Sequence, residues 1–206
     1  VTHIGVGTIV LVVAPALSVK SVKDLIALAK AQPGKLIFGS SATGTGPQLS
    51  GARFNLAAGI TVVTVAFKGG PEATIEILAG RTHYSFQTLI VALPFIKDGK
   101  LLALAVNAPQ RLPLLPDVPA LAETLPEFKR PDTSNGLLAP AKTPRAIIDQ
   151  ISKEVARVLA LPDVKERLAA VGADIVGTSP EETAAFFKTE IAKFTKVAHA
   201  ANIRAE

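Results

Sequence analysis

The chain has 206 residues, of which 49% are hydrophobic and 19% charged, and its net charge is +5. This balance predicts a globular chain with a sizeable core and excludes a disordered one. The absence of cysteine excludes disulfides, thiolate zinc sites and thiol nucleophiles. Nucleic-acid binding is poorly supported, because the sequence has no basic run with interleaved aromatic residues.

The chain begins with a predicted strand and a capped helix. The run TIVLVVAP, which ends at Pro15, is continuous and β-branched, as in a strand buried on both faces. Ser21 is expected to cap the next helix, with Asp24 in the capping-box position. One face of that helix is apolar: Val22, Leu25, Ile26 and Ala29.

A second strand, a loop of small residues and a second helix follow. Leu36–Phe38 predicts the strand, and Pro47 suits the first turn of the helix. We expect the inner face of this helix to contain Leu49, Ala52 and Leu56.

Strands and helices continue to alternate up to residue 106. Strands are predicted at 61–67, 83–87 and 101–106, and helices at 71–80 and 89–99. Strands that lack polar alternation and that are separated by helices favour an α/β fold with a largely parallel sheet.

The pattern changes after residue 106. A proline-rich stretch occupies 107–133, SNGLLAP predicts one short strand, and the remainder is mainly helical. Helices are expected to begin at Pro144, Pro162 and, after a Ser179 cap, Pro180. Their predicted apolar stripes include Ile147, Ile148, Ile151, Val155, Val158, Val164, Leu168, Val171, Phe187, Ile191, Phe194 and Ala198. Such stripes require a covering partner, and uncovered helix faces would favour self-association.

The loop GSSATGTG, between a strand and a helix, is a candidate anion site. The first turn of a helix carries unpaired N–H groups, and the helix dipole favours a negative charge there. Hydroxyl groups and flexible glycines supplement these amides at Ser40, Ser41, Thr43, Gly44 and Thr45. An ordinary capped turn would have the same local sequence, so both interpretations stay open at this point.

Two later strand ends offer further polar groups. Lys68, Gly69 and Gly70 follow one strand, and Gln87 and Thr88 end another. Because ligands bind at the carboxyl ends of strands in open α/β sheets, these groups are expected to face one crevice. None forms an acid–base pair, which indicates binding without chemistry, and Lys68 is equally well explained as a solvated surface amine.

Catalytic and metal motifs fit the chain poorly. The loop lacks the Gly-Lys-Ser/Thr of a phosphate-binding loop, and GSSAT departs from the nucleophile elbow at Thr43. A hydrolase with Ser41 as nucleophile would need a partner from His83 or His199 and a third member from Asp98, Asp117 or Asp132. The three histidines have no metal-ligand spacing, and we predict no metal and no cofactor.

Several segments together resemble one family. They are SVKSVKDLIALAKAQPGKLIFGSSATGTGPQLSGARF, FKGGPEATIEILAGR, FQTLIVALPFIKDGKLLALAV, RLPLLPDVPALAET, GLLAPAKTP and LAAVGADIVGTSPEE. In order and spacing they are similar to the tripartite tricarboxylate transporter solute receptors, also called Bug receptors. The resemblance covers essentially the whole chain.

The resemblance implies a periplasmic solute-binding receptor and not an enzyme. Its fold would be α/β, periplasmic binding protein type II-like, with two hinged lobes that enclose a small carboxylate and present it to the membrane subunits of a transporter. In the family the carboxylate is held by loops that match Ser40, Ser41, Thr43, Gly44 and Thr45, and Lys68, Gly69 and Gly70. The alternative is the ligand-sensing effector domain of a transcription regulator, which has the same fold.

Two departures from the family shape our expectations. Family members often carry an Asp where Gln87 stands, so an amino-acid ligand is less expected than a plain aliphatic or aromatic carboxylate. From the resemblance we also expect that the family's N-terminal part, which includes a signal segment that is removed, is absent from this sequence. We therefore expect a complete middle lobe at 13–132, an incomplete lobe from 1–12 and 133–206, and weaker binding than in a full-length receptor.

Overall fold

The computed structural model describes residues 1–128 and 133–203, which belong to two compact units. The first unit comprises Val1–Gly7 and Thr133–Lys196, and the second comprises Thr8–Asp132 and Val197–Glu206. Our lobe boundaries stay a prediction, because compactness does not test which residues move together. Residue 132, where one boundary was placed, lies outside the described residues.

The regular elements follow the chain in this order. The strands are β1 (Thr2–Gly7), β2 (Ile9–Val13), β3 (Ile37–Ser40), β4 (Val63–Ala66), β5 (Tyr84–Thr88), β6 (Leu102–Asn107), β7 (Asn135–Leu137) and β8 (Ala173–Ile175). The α-helices are α1 (Val22–Ala31), α2 (Gly46–Ala58), α3 (Gly70–Leu78), α4 (Leu89–Lys97), α5 (Arg145–Leu159), α6 (Pro162–Ala169) and α7 (Pro180–Ala200).

The second unit is built on a five-stranded sheet with the order β4-β3-β5-β2-β6. β3 pairs in parallel with β4 and β5, whereas β2 is antiparallel to both β5 and β6. Every residue of β2 is buried, as its unbroken apolar run predicts. The predicted α/β class is confirmed. The sheet is only partly parallel, because the reversed direction of β2, which the pattern did not indicate, makes two of its four strand pairs antiparallel.

The α1 cap forms as its sequence predicts. Ser21 Oγ accepts from the Asp24 amide at 3.1 Å, and Asp24 Oδ2 accepts from the Lys20 amide at 3.1 Å. Hydrogen bonds made to the exposed Asp24 carboxyl lower its pKa, the Ser21 side chain most strongly and the Lys20 amide next. Val22, Leu25 and Ala29 are buried in the core on the predicted face.

The predicted inner face of α2 is wrong. Leu56 is 48% exposed, and the helix instead buries Gly51, Phe54 and Ala58. A Cβ built on Gly51 would lie 2.0 Å from Cζ of Phe38, so only glycine lets the helix approach that ring. The apolar pattern of α2 did not predict this face, because the residue that determines the contact with Phe38 is Gly51, which has no side chain.

The first unit contains a small antiparallel sheet in which β1 lies between β7 and β8. β1 and β8 were not predicted. The β1 backbone is tied to the start of α7, since the His3 amide donates to Thr183 Oγ1 at 3.0 Å and the His3 ring stacks on Phe186 at 4.4 Å.

The apolar stripes of the C-terminal helices are only partly buried. On α5, Ile147 and Val158 are 46% and 41% exposed, and on α7 Ile191 is 66% exposed. The placement of Ile191 on an inner stripe is therefore wrong within this unit, whereas Phe187 and Phe194 are half-buried. Self-association through these faces stays a prediction. Among the described residues, no helix combines the length and the apolar character needed to cross a membrane.

The close contact of α2 with the sheet can be tested by substitution. We expect Gly51→Ala to lower the free energy of unfolding by about 1–3 kcal/mol, because overpacking against Phe38 outweighs the roughly 0.5–1 kcal/mol that alanine contributes to a helix. Leu56→Ala, on the exposed face, should change it by about 0.5 kcal/mol or less. Urea denaturation of both variants checks this, and a larger loss for Leu56→Ala would support the face predicted from the sequence.

Candidate functional site

Several strands of the five-stranded sheet end at the same edge, and most of them end in a polar residue. Ser40 pairs with Ala66, and Ile9 pairs with both Thr88 and Asn107. β3, β4, β5 and β6 therefore end, and β2 begins, at the same edge, which we call the carboxyl edge. Loops at such an edge are where α/β sheets bind their ligands.

The loop after β3 uses its hydroxyl groups to hold its own shape. Ser40 Oγ donates to the Ser41 carbonyl at 3.0 Å, and Ser41 Oγ lies 2.6 Å from Thr45 Oγ1. Thr45 Oγ1 in turn donates to the Ala42 carbonyl at 2.7 Å. Ser40 and Ser41 are buried. In this arrangement the hydroxyls shape the loop. The Thr45 amide is also engaged, since it donates to the Ala42 carbonyl at 3.2 Å.

Gly44 and Gln48 fix the turn into α2. Gly44 has φ of +77°, in the left-handed region that glycine adopts without strain. Its amide donates to Oε1 of the buried Gln48 at 2.7 Å. Thr43 and Gly44 are exposed at the tip of the loop. The glycine and the Gln48 side chain therefore hold the loop tip over the first turn of its own helix.

The start of α2 leaves few but well-placed amides. The first-turn N–H groups of a helix have no intrahelical acceptor. Pro47 in this turn has no N–H, so Gly46 and Gln48 supply the amides. A neutral site of this kind attracts an anion through oriented dipoles.

The loop after β4 follows the same plan. Gly69 precedes α3, and Pro71 occupies its first turn. The exposed Lys68 donates its backbone amide to Oε2 of Glu72 at 2.8 Å, so this turn already holds one carboxylate oxygen of its own. The Gly69 and Gly70 amides are the remaining groups through which the loop could contact a ligand.

The end of β5 buries its amide side chain and begins α4. Gln87 is fully buried, and Thr88 is half-buried and precedes the helix. The first amide of α4, from Leu89, donates to the Thr8 carbonyl at 2.8 Å. The structure therefore brings all ten predicted residues to the carboxyl edge, but their contact with a ligand stays a prediction.

The structure adds Thr8 and Asn107 to the same edge. Both are buried, Thr8 just before β2 and Asn107 at the end of β6. Asn107 could have been found from the polar residue that ends the apolar run LLALAV. Thr8 could not, because nothing in the sequence indicates that β2 runs antiparallel.

The hydrolase alternative is not supported by the position of His83. Its Nδ1 accepts from the Ile37 amide at 2.8 Å, where β3 begins. Ser41 follows the other end of β3, so His83 lies at the opposite edge of the sheet and is not placed to take the Ser41 proton. Asp132, one candidate for the third member, lies outside the described residues.

Tyr84 connects β5 to α2 at the end of the sheet opposite the carboxyl edge. Its hydroxyl donates to Oδ1 of Asn55 on α2 at 2.6 Å, and burial raises the pKa of the phenol well above its ordinary value. The ring stacks on Phe38 at 5.2 Å. This polar contact joins β5 to the C-terminal half of α2 within the aromatic core.

A cavity of about 480 Å³ opens beside α2 and β4. Thr43 and Gln48 line it, together with Asn55 and Thr64. Gln87, Lys68 and Gly70 are not among its lining residues. Thr43 therefore faces a different space from the groups at the ends of β4 and β5.

Comparison with known proteins identifies related sequences. The family model described as "Tripartite tricarboxylate transporter family receptor" matches residues 1–203. Protein BugT of Bordetella pertussis is 31% identical over 198 residues, which cover 96% of this chain and 60% of BugT. The chain spans about 55–60% of the length of three of the curated relatives that it matches.

Solved structures show the same fold. R. palustris Rpa4515 with adipate is 29% identical, with a TM-score of 0.86 over 98% of this chain and 68% of that one. MatC (Rpa3494) from Rhodopseudomonas palustris with bound malate is 25% identical, with a TM-score of 0.82 over 96% and 68%. The predicted family resemblance and fold class are confirmed by these matches.

The hydrogen bond from Gly44 to Gln48 predicts a local change in dynamics. Gln48→Leu removes the acceptor, and we expect the Gly44 amide to exchange with solvent about fivefold faster, equivalent to about 1 kcal/mol. Gln48→Glu keeps an acceptor oxygen and is the matched control. Hydrogen exchange measured by NMR checks this, and equal Gly44 rates in Gln48→Leu and the unmodified protein would contradict the assigned role.

Proposed function

Because this chain belongs to the tripartite tricarboxylate transporter receptor family, we propose that it acts as a periplasmic solute-binding receptor. It captures a small carboxylate and delivers it to the membrane subunits of a transporter. Binding, and not chemistry, is the proposed activity. The relatives and solved structures reported above include no transcription regulator, so nothing favours the effector-domain alternative.

The observation that carries this proposal is the carboxyl edge. The starts of α2, α3 and α4 follow β3, β4 and β5 at this edge, where the first amides of a helix have no acceptor inside the helix. In α4 the first of these amides, from Leu89, already donates to the Thr8 carbonyl, so α2 and α3 carry most of the proposal. Buried Ser40 and Ser41 keep the α2 loop in one shape. A preformed group of amide donors matches the oxygen atoms of a carboxylate.

The ligand class that we propose is an aliphatic carboxylate. The named structures of Rpa4515 and MatC contain adipate and malate, both of which are dicarboxylates. Gln87 is neutral, so it offers no ion pair to the ammonium group of an amino acid. Lys68 is the one cation among our predicted site residues, and it is exposed. Neutral dipoles would therefore supply most of the attraction.

A thermal-shift panel tests the proposed function. The panel contains adipate, malate, benzoate and the amino acids glutamate and leucine, and it is applied to this chain and to the product of the complete reading frame. At a concentration 100 times Kd a ligand stabilises by about 2.7 kcal/mol, which for this size raises Tm by about 5–10 °C.

We expect adipate or malate to produce this shift and leucine to produce none. A smaller shift for this chain than for the complete product would agree with an incomplete site. No shift from any carboxylate in either protein, or a larger shift from the amino acids, would contradict the proposal.

The weak role of Lys68 is a separate prediction. An exposed ion pair contributes about 0.2–1 kcal/mol, so Lys68→Gln should weaken carboxylate binding by no more than about fivefold. Lys35→Gln, just before β3 at the opposite edge, is the control and should change nothing. Calorimetric titration at low and high salt measures both. A loss of affinity above a hundredfold would show that Lys68, and not the amides, holds the anion.

A further inference from the structure

Two buried polar side chains lie side by side within β5. Ser85 and Gln87 are both fully buried, and as residues i and i+2 of a strand they project from the same face. The sequence analysis singled out Gln87 for contact with a ligand. Gln87 is fully buried at the carboxyl edge, and its contact with a ligand stays a prediction.

The hydrogen bonds of this pair have a defined direction. Ser85 Oγ donates to the Gly39 carbonyl at 2.6 Å, and this use of its proton leaves Ser85 Oγ as an acceptor. Gln87 Nε2 lies 2.7 Å from Ser85 Oγ and donates to it. The amide of Gln87 is therefore oriented, with its Nε2 toward β3 and its Oε1 on the other side.

The oxygen of that amide lies against the first residue of α3. A Cβ built on Gly70 would be 2.9 Å from Gln87 Oε1. This oxygen has no hydrogen-bond donor among the residues that the structure describes. Its partial negative charge lies close to the start of α3, where the helix dipole is positive. Gly70 and Gln87 are thus close neighbours, and a side chain at position 70 would require the Gln87 amide to shift.

The series of contacts through Ser85 and Gln87 connects two of the proposed binding loops. Gly39 directly precedes Ser40 and the α2 loop, and Gly70 carries an amide of the α3 loop. We infer that Ser85 and Gln87 form a positioning relay, which fixes the spacing between the α2 loop and the start of α3. This inference rests on the proposed carboxylate-binding function, for which that spacing would determine whether both loops contact one ligand.

A buried relay of this kind is sensitive to the loss of one member. Removing the Ser85 hydroxyl leaves the Gly39 carbonyl and Gln87 Nε2 without their partner in a region closed to water. Gln87 is then free to change its rotamer, and the contact with Gly70 is no longer maintained. Neither change requires Ser85 to touch the ligand, so its effect on binding would be indirect.

The experiment compares Ser85→Ala, Gln87→Leu and the double variant with Val13→Ala. Val13 is buried in the same sheet and pairs with Tyr84 and Leu102, at the edge opposite the loops. It controls for a general loss of stability. The first readout needs no ligand and is the set of amide chemical shifts and exchange rates from Gly39 to Gln48 and from Lys68 to Glu72. The second is the affinity for adipate and malate.

We expect Ser85→Ala to perturb the amides of both loops and to weaken binding by about tenfold. The double variant should lose no more affinity than the more severe single variant, because the two residues act as one unit. Val13→Ala should lower Tm by about as much as Ser85→Ala does. It should neither perturb the loop amides nor weaken binding. Perturbation of only one loop, or equal effects from Val13→Ala, would overturn the relay.

Failure of the proposed function gives a different result. If neither this chain nor the product of the complete reading frame binds adipate or malate, the proposed ligand class is wrong, and the ligand-free amide readout still decides whether the relay exists. If the unmodified protein binds and Ser85→Ala leaves both affinity and loop amides unchanged, the relay is wrong and the proposed function stands.

Discussion

A helix that begins where a buried strand ends leaves its first N–H groups without acceptors inside the helix, and the rest of this site depends on that constraint. β3, β4 and β5 run in parallel, so α2, α3 and α4 all begin at the carboxyl edge. Prolines at the second position of α2 and α3 remove one donor from each turn and preset its geometry. The result is a neutral surface that is suited to an anion, formed by backbone groups.

Side chains in this site support the backbone. Ser41 and Thr45 hold the α2 loop through their hydroxyls, Gln48 holds Gly44, and Glu72 holds the Lys68 amide. These polar side chains are therefore engaged before any ligand arrives, which reduces the conformational entropy lost on binding. A site of this kind orients its ligand through preformed loops. Its selectivity among ligands depends on the spacing between those loops.

The sequence predicted the elements of the second unit better than their packing. Apolar runs indicated β2, β3, β5 and β6, since each lies between turn residues. The α2 face could not be predicted, because the contact of Gly51 with Phe38 involves an absent side chain. β8 was missed because it has only three residues, and β1 because it pairs with strands distant in sequence. Residue types identified Gln87 as a polar residue at a strand end, but its burial and its link to Ser85 depend on tertiary structure.

The most direct test of the central claim is an amide chemical-shift titration of the isotopically labelled protein with adipate and with malate. The account predicts that the largest saturable shifts occur in the first turns of α2, α3 and α4 and in the loops before them. Shifts concentrated in the cavity between α2 and β4, or at the opposite edge near His83, would contradict it.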